Sequence, residues 1–179
     1  MRHSTGNVRQ EQEIGGKFLT FFLEDEEYGI EILKVQEIIG MMSVTPVPRT
    51  PSFVRGVINL RGQVIPIIDL RLKFGMPAIA QTEETCVIVV RAQGVEMGII
   101  VDKVSEVLDI ATEEIDPVPS FGATVDTAYI LGIGKAAGNV KLLLHIDKVL
   151  STDEVVDLRA TAMEDVQMAA ASPLSGSHE

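Results

Sequence analysis

Short apolar runs, each the length of a strand, recur along the chain and are divided by polar or glycine-bearing turns. Phe18-Leu19-Thr20-Phe21-Phe22-Leu23 ends in Glu24-Asp25-Glu26-Glu27, an acidic turn, and Tyr28-Gly29-Ile30-Glu31-Ile32 reads as the returning strand. Leu33-Lys34-Val35 suits a helical turn before Glu37-Ile38-Ile39 resumes extended structure. Val54 to Leu60 and Gln63 to Leu70 are two further runs meeting at Arg61-Gly62, the pattern of a tight hairpin with glycine where a positive φ is needed. Pro66 assigns its part of the second run to an edge or a bulge, because proline has no N–H to give to a ladder. Thr45-Pro46-Val47-Pro48-Arg49-Thr50-Pro51 is a surface connection. Thr85 to Val90, Met97 to Val101 and Val140 to Ile146 repeat the plan. About ten short strands with close turn signals predict a mainly β protein of small barrels, closed so that no edge is left exposed.

The chain also repeats its sequence. Tyr28-Gly29-Ile30-Glu31-Ile32-Leu33-Lys34-Val35-Gln36-Glu37-Ile38 returns as Met97-Gly98-Ile99-Ile100-Val101-Asp102-Lys103-Val104-Ser105-Glu106-Val107, 69 residues later. Phe53 to Val57 and Gly62-Gln63-Val64 return as Tyr129 to Ile133 and Gly138-Asn139-Val140, 76 residues later, and Pro46-Val47-Pro48 is echoed by Pro117-Val118-Pro119. Two copies are too few for a solenoid and predict two similar small domains packed together. The boundaries expected are a flexible arm over 1–16, a first barrel over about 17–78, a linker over 76–84 and a second barrel over about 83–150. In 151–179, Thr152-Asp153-Glu154 opens a helix with Val155, Val156, Leu158, Ala162, Met163 and Val166 on one stripe, followed by a frayed tail.

Composition narrows the function. With six Phe, two Tyr and no Trp, the core is aliphatic. A net charge of −11 argues against a nucleic-acid partner, which requires clustered Lys and Arg, and few aromatics are available for base stacking. Cys86 is alone, so no internal disulfide or cysteine metal site is expected. The N-terminus lacks the apolar stretch of a signal peptide and no run approaches the roughly 18 apolar residues of a spanning helix, which reads as a soluble intracellular protein.

Catalytic chemistry finds little support. His3 and His178 fall in the expected tails, and His145, in the place Asp69 holds in the first copy, has no nucleophile partner. Gly132-Ile133-Gly134 lacks the following helix of a nucleotide site. Asp25, Glu26 and Glu27 alternate between strand faces and read as a solvated turn rather than a metal site. No cofactor is expected, and the pattern fits a protein that binds other proteins.

Comparing the copies separates what the fold needs from what it does not. Gly62 and Gly138 persist, whereas Asn59-Leu60-Arg61 is replaced by Lys135-Ala136-Ala137, so the hairpin does not require Arg61. A guanidinium on a fixed hairpin near an acid such as Glu37 would give a directional polar contact beside an apolar groove. Val35-x-Glu37 and Val104-x-Glu106 are either core segments or, with the barrels face to face, the borders of a cleft suited to a partner helix. Phe121, in the loop Pro119-Ser120-Phe121-Gly122, is either tucked over a core edge or offered to a partner.

Glu27 to Ile38, Gly56 to Leu70 and Gly98 to Asp102 strongly resemble the CheW family of bacterial chemotaxis coupling proteins, and Asn59-Leu60-Arg61-Gly62-Gln63-Val64-Ile65-Pro66-Ile67-Ile68-Asp69-Leu70 is its most specific stretch. The resemblance runs from about Lys17 to Leu150. It implies a pair of five-stranded SH3-like barrels without enzymatic activity. The implied partners are the cytoplasmic tips of methyl-accepting chemoreceptors and the regulatory domain of the histidine kinase CheA. It further implies receptor contacts at Val35, Glu37, Arg61, Val104 and Val107, near a groove between barrels, and kinase contacts at Val44, Arg55 and Val64, with Phe121 a further candidate. The implied location is the cytoplasm, at membrane-associated receptor arrays, with no direct membrane insertion. The alternatives are another member of the same architecture, either a detached kinase regulatory domain or a coupling module that normally carries a receiver domain, for which no sequence is present, and an enzyme acting in the cleft.

Overall fold

The computed structural model describes residues 15–118, 128–150 and 154. In chain order the strands are β1 (Gly16–Leu23), β2 (Glu26–Glu31), β3 (Val35–Gly40), β4 (Val54–Leu60), β5 (Gln63–Asp69), β6 (Cys86–Ala92), β7 (Val95–Val101), β8 (Lys103–Ile110), β9 (Ile115–Asp116), β10 (Ile130–Gly134) and β11 (Lys141–Leu144). A 3-10 turn at Ile32–Lys34 joins β2 to β3, as the sequence predicts, and short helical turns follow β5 at Leu70–Lys73 and β11 at Ile146–Val149. The expected arm over 1–16 lies outside the described residues as far as 14. Gly15 and Gly16 are ordered: Gly15 N donates to Thr112 Oγ1 at 3.2 Å and Gly16 pairs with Ile110. The C-terminal helix and tail lie outside the described residues except Glu154, which is helical.

The strands form two sheets, ordered β8-β1-β2-β11-β10-β9 and β3-β6-β7-β5-β4. The division expected from the sequence, one barrel over 17–78 and another over 83–150, is not the division of the sheets. One compact unit holds the chain up to Val35 together with Asp102–Val149, and the other holds Gln36–Val101 together with the chain from Leu150. Each sheet combines the first two strands of one sequence copy with the later strands of the other. β2 lies beside β11 and β7 beside β5; parallel neighbours need a long crossover, which either copy can supply, so the local pattern does not decide which copy provides the partner.

Both sheets close by the same device. After β8 the chain turns at Thr112–Glu114 and pairs as β9 with β10, at the far edge of the same sheet. After β3 the equivalent segment reaches β4, where Thr45 N donates to Val57 O and Val57 N to Thr45 O, both at 2.9 Å. Five principal strands closed in this way are the SH3-like arrangement, and β9 makes a short sixth strand in one of them. Pro66 pairs with Val57, and although β5 is an internal strand, its ladder to β7 begins only at Ile67, so the missing N–H removes no bond there.

The cores are assembled from equivalent positions. In one unit Ile58, Ile65, Ile67, Val87, Val89 and Ile100 are buried together, with Ile39, Met41, Val44 and Leu60 packed against them. In the other, Phe18, Ile110, Ile115, Ala136 and Leu143 are buried, with Leu108 and Leu131 against them. Val87 and Phe18, Ile67 and Leu143, Val44 and Ile115 are counterparts in the repeat. Each such side chain contributes roughly 1.5 to 3 kcal/mol when fully buried. One exchange breaks the pattern: Lys141 stands where the first copy has Ile65, and its buried amine donates to Ala136 O at 2.7 Å and Asn139 O at 3.2 Å, with Glu27 Oε1 at 3.5 Å.

Two glycines permit the parallel seams. Gly29 pairs with Leu143, and a Cβ there would lie 2.9 Å from Leu143 Cδ2. Gly98 pairs with Ile67, and a Cβ there would lie 2.6 Å from Val87 Cγ1 and 2.7 Å from Ile67 Cδ1. Gly56 is tighter still, since its Cβ would fall 2.0 Å from the backbone oxygen of Thr45, the residue that closes the sheet. Gly56→Ala therefore displaces backbone and is expected to be the most damaging of these changes. Gly98→Ala, which meets side-chain ends, should cost about 1 to 3 kcal/mol. Gly62→Ala, with open space around it and a φ of 85°, should cost about 1 kcal/mol. Urea denaturation of the three variants checks the order.

Candidate functional site

The β4–β5 hairpin turns through Arg61 and Gly62 alone, with Leu60 opposite Gln63. Both turn residues have positive φ, 53° and 85°, the geometry that matches the twist of the flanking strands. Asn59 Oδ1 accepts from Gly62 N at 2.8 Å and holds the turn. This fixed tip projects Arg61, whose Nη2 donates to Oε1 of Glu37 on β3, at the opposite edge of the sheet order. The arginine side chain remains 69% exposed and the glutamate 31%. The pair thus ties the tip to β3 and leaves guanidinium N–H groups directed at solvent, able to receive further acceptors.

In the other copy this polar contact is absent. The corresponding turn residues Ala137 and Gly138 also have positive φ, 58° and 81°, so the backbone is the same while the charge is missing. Glu106, the counterpart of Glu37, instead lies on β8, where its backbone is engaged by Thr20: Thr20 Oγ1 donates to Glu106 O at 3.1 Å and accepts from Glu106 N at 3.3 Å.

That second contact has a consequence for Val104 and Val107. They stand three residues apart, which on an uninterrupted strand places side chains on opposite faces. The register between β1 and β8 shifts here, so Val104 pairs with Phe21 and Val107 with Leu19, two residues apart on β1. The bulge brings the two valines to one face, with Val107 half exposed. Thr20, buried within an apolar run, was not singled out by sequence; its only signal was a hydroxyl among hydrophobic residues.

Val35 is half-buried at the start of β3. Preceding it, in the turn between β2 and β3, Leu33 is 88% exposed, an apolar side chain that periodicity does not mark. The Lys34 amine fixes this turn by donating to Asp147 Oδ2 at 2.7 Å.

The residues expected at a second contact surface are less uniform. Arg55, exposed at the bulge of β4, donates from Nη1 to Oδ2 of the nearly buried Asp69 at 3.1 Å. The other oxygen of Asp69 accepts from Leu72 N at 3.4 Å and caps the helical turn. Arg55 is thus held in place by a residue that ends β5. Val64 is half-buried near the hairpin tip, opposite Asn59. Val44 packs against the aliphatic core and occupies the position equivalent to the buried Ile115. Phe121 lies outside the described residues.

Neither catalysis nor metal binding finds a constellation among the described residues. No group of three or more His, Cys, Asp or Glu side chains is placed to hold a metal. His145 is half-buried immediately after β11, its backbone N donates to Tyr129 O at 2.8 Å, and its Nδ1 has no hydrogen-bond partner. Burial raises the Tyr28 hydroxyl above its ordinary pKa, with Glu26, Tyr129 and Glu24 adding to the effect. No helix among the described residues is long and apolar enough to cross a membrane.

Comparison with known proteins converges on one family. The model of the CheW-like domain matches residues 17–154. The chemotaxis protein CheW of Klebsiella aerogenes is 46% identical over 142 residues, covering 79% of this chain and 86% of that protein. The CheW of Helicobacter pylori is 38% identical over 150 residues, covering 84% and 90%. The crystal structure of the scaffolding protein TtCheW from Thermoanaerobacter tengcongensis superposes with a TM-score of 0.71 at 35% identity, over 79% of this chain and 96% of that one. With its strand order, closing segments and hairpin signature in the same stretch that the family model covers, this chain belongs to the CheW family of chemotaxis scaffolding proteins.

Proposed function

We propose that the chain is the adaptor that couples methyl-accepting chemoreceptors to the histidine kinase CheA and transmits receptor control to the kinase. The observation that carries the site assignment is the Arg61–Glu37 pair: a charged tip held in a fixed orientation by a two-residue turn, present in one copy of the repeat and replaced in the other. An arginine fixed in this way recognises acceptors on a partner with little loss of side-chain entropy on binding.

In this reading the receptor tip is contacted by Val35, Glu37 and Arg61 in one region and by Val104 and Val107, on one face of β8, in the other. The valines supply apolar area and the ion pair supplies direction. The regulatory domain of CheA is contacted through Arg55 and Val64 on the β4–β5 hairpin, with Val44 and with Phe121, which lies in sequence before β10. Such a protein works without catalytic groups of its own: it binds the receptor and kinase differently in their on and off states, and the difference in contact free energy is the signal. Its place of action is the cytoplasm, at receptor arrays beside the membrane.

The test is a pull-down of the purified protein with a soluble receptor signalling tip and with the CheA regulatory domain, separately and together. Binding to both at once is expected. Failure to bind either, by a folded protein, would mean that the fold serves other partners.

Arg61→Ala separates function from folding cleanly, because Ala137 already adopts the same backbone in the equivalent turn. An exposed ion pair contributes about 0.2 to 1 kcal/mol to stability, so the melting temperature should move little. Receptor affinity should fall on the order of tenfold, the scale of one well-placed charged contact, while kinase binding is retained. Calorimetric titration against each partner measures both.

A further inference from the structure

The sheets record an exchange of strands between two equivalent halves. Residues 16–73 supply β1 to β5 and residues 86–144 supply β6 to β11, yet β1 and β2 pair with strands of the second half, and β6 and β7 with strands of the first. The exchange is reciprocal in register. Gly29 pairs with Leu143 and Gly98 with Ile67, and each partner is the other's counterpart in the repeat. Ile30 with Leu144 and Ile99 with Ile68 repeat the relation one residue on.

We infer that each half is the obligate folding partner of the other, so that the two sheets form and melt as one unit. In this arrangement each half contributes strands to both sheets and completes neither. Alone, the first half leaves the β2 edge without β11 and the β5 edge without β7, and its β1 without β8. Such unpaired edges are costly to leave in place, and the apolar residues beside them, Ile67 among them, lose Val87, Val89 and Ile100 of the second half from their core. The seam therefore defines an interaction surface whose partner is the complementary half, which carries the strands that each edge lacks.

The covalent link between halves adds little to this recognition. Residues 77–84 are exposed and lie outside any strand or helix. The segments that matter are the crossings. β2 runs through the Ile32–Lys34 turn into β3, and β7 runs through Asp102 into β8, each passing from one sheet into the other. Val35, Glu37, Val104 and Val107 all lie within a few residues of these crossings. Displacing β3 or β8 there pulls on a strand that belongs to the other sheet. This inference rests on sheet membership and not on the proposed partners.

The test uses the full chain with a specific protease site inserted after Ala80, cleaved once the protein is folded. The nicked protein should elute as one species at the size of the intact chain and unfold in a single transition whose midpoint rises with protein concentration. Fragments separated in urea and diluted singly should lack the strand signal of the intact protein in circular dichroism, and a half that recovers it alone, as a monomer or as its own dimer, would overturn the inference. Mixing them should restore the single transition. Gly98→Val in the second fragment, which meets Ile67 of the first, should weaken reassociation at least tenfold, whereas Lys103→Ala should not. Recovery of a cooperative folded monomer by either fragment, separation of the nicked protein into two folded species, or failure of the mixture to refold would overturn the inference.

Discussion

The parallel pairing at Gly29 and Gly98 is the constraint on which the rest of the molecule depends. At each seam a glycine lets a large aliphatic residue of the other sequence copy, Leu143 or Ile67, lie against the backbone. A Cβ at either position would approach those side chains closer than van der Waals contact allows. The seam sets the neighbours of β2 and β7, which sets the order of both sheets, which in turn determines where the chain must cross between them. Glycine recurs in both copies of the motif for this packing reason, and no catalytic role is needed to account for it.

Around that shared frame the two copies diverge where charge is concerned. The same positive-φ turn carries Arg61 in one sheet and Ala137 in the other. Asp69 holds Arg55 and caps a helical turn, while the equivalent places in the other copy hold His145 and Leu131. A buried position that is Ile65 in one copy is Lys141 in the other, where two backbone carbonyls and Glu27 compensate the ammonium. Substitutions of this kind leave the backbone in place, so one scaffold can present two different surfaces.

Much of the site was legible without coordinates because the repeat acts as an internal control. The expectation that Arg61 would meet Glu37 came from the absence of the arginine in the second copy, and the two side chains do form an ion pair. The common face of Val104 and Val107 was not legible, because strand alternation puts residues three apart on opposite sides and only the bulge bonded to Thr20 reverses that. The resemblance implied Val44 as a partner contact, and its packing on the core was not legible, because Thr45 closes the sheet beside it through backbone bonds alone. A bridge formed by backbone groups leaves no mark on residue type.

Local sequence determined the elements: short apolar runs between polar turns marked the strands, Arg61-Gly62 and Ala137-Gly138 marked the turns, and the repeat marked two equivalent domains. These depend on steric preferences and on burial of the nearest side chains, which operate over a few residues. Tertiary structure alone decided which strands belong together. A sequential partition and an exchanged one offer the same hydrophobic faces and the same hairpins. They differ only in which distant strand edge receives the backbone hydrogen bonds of β2 and β7, and those donors and acceptors are identical in every residue.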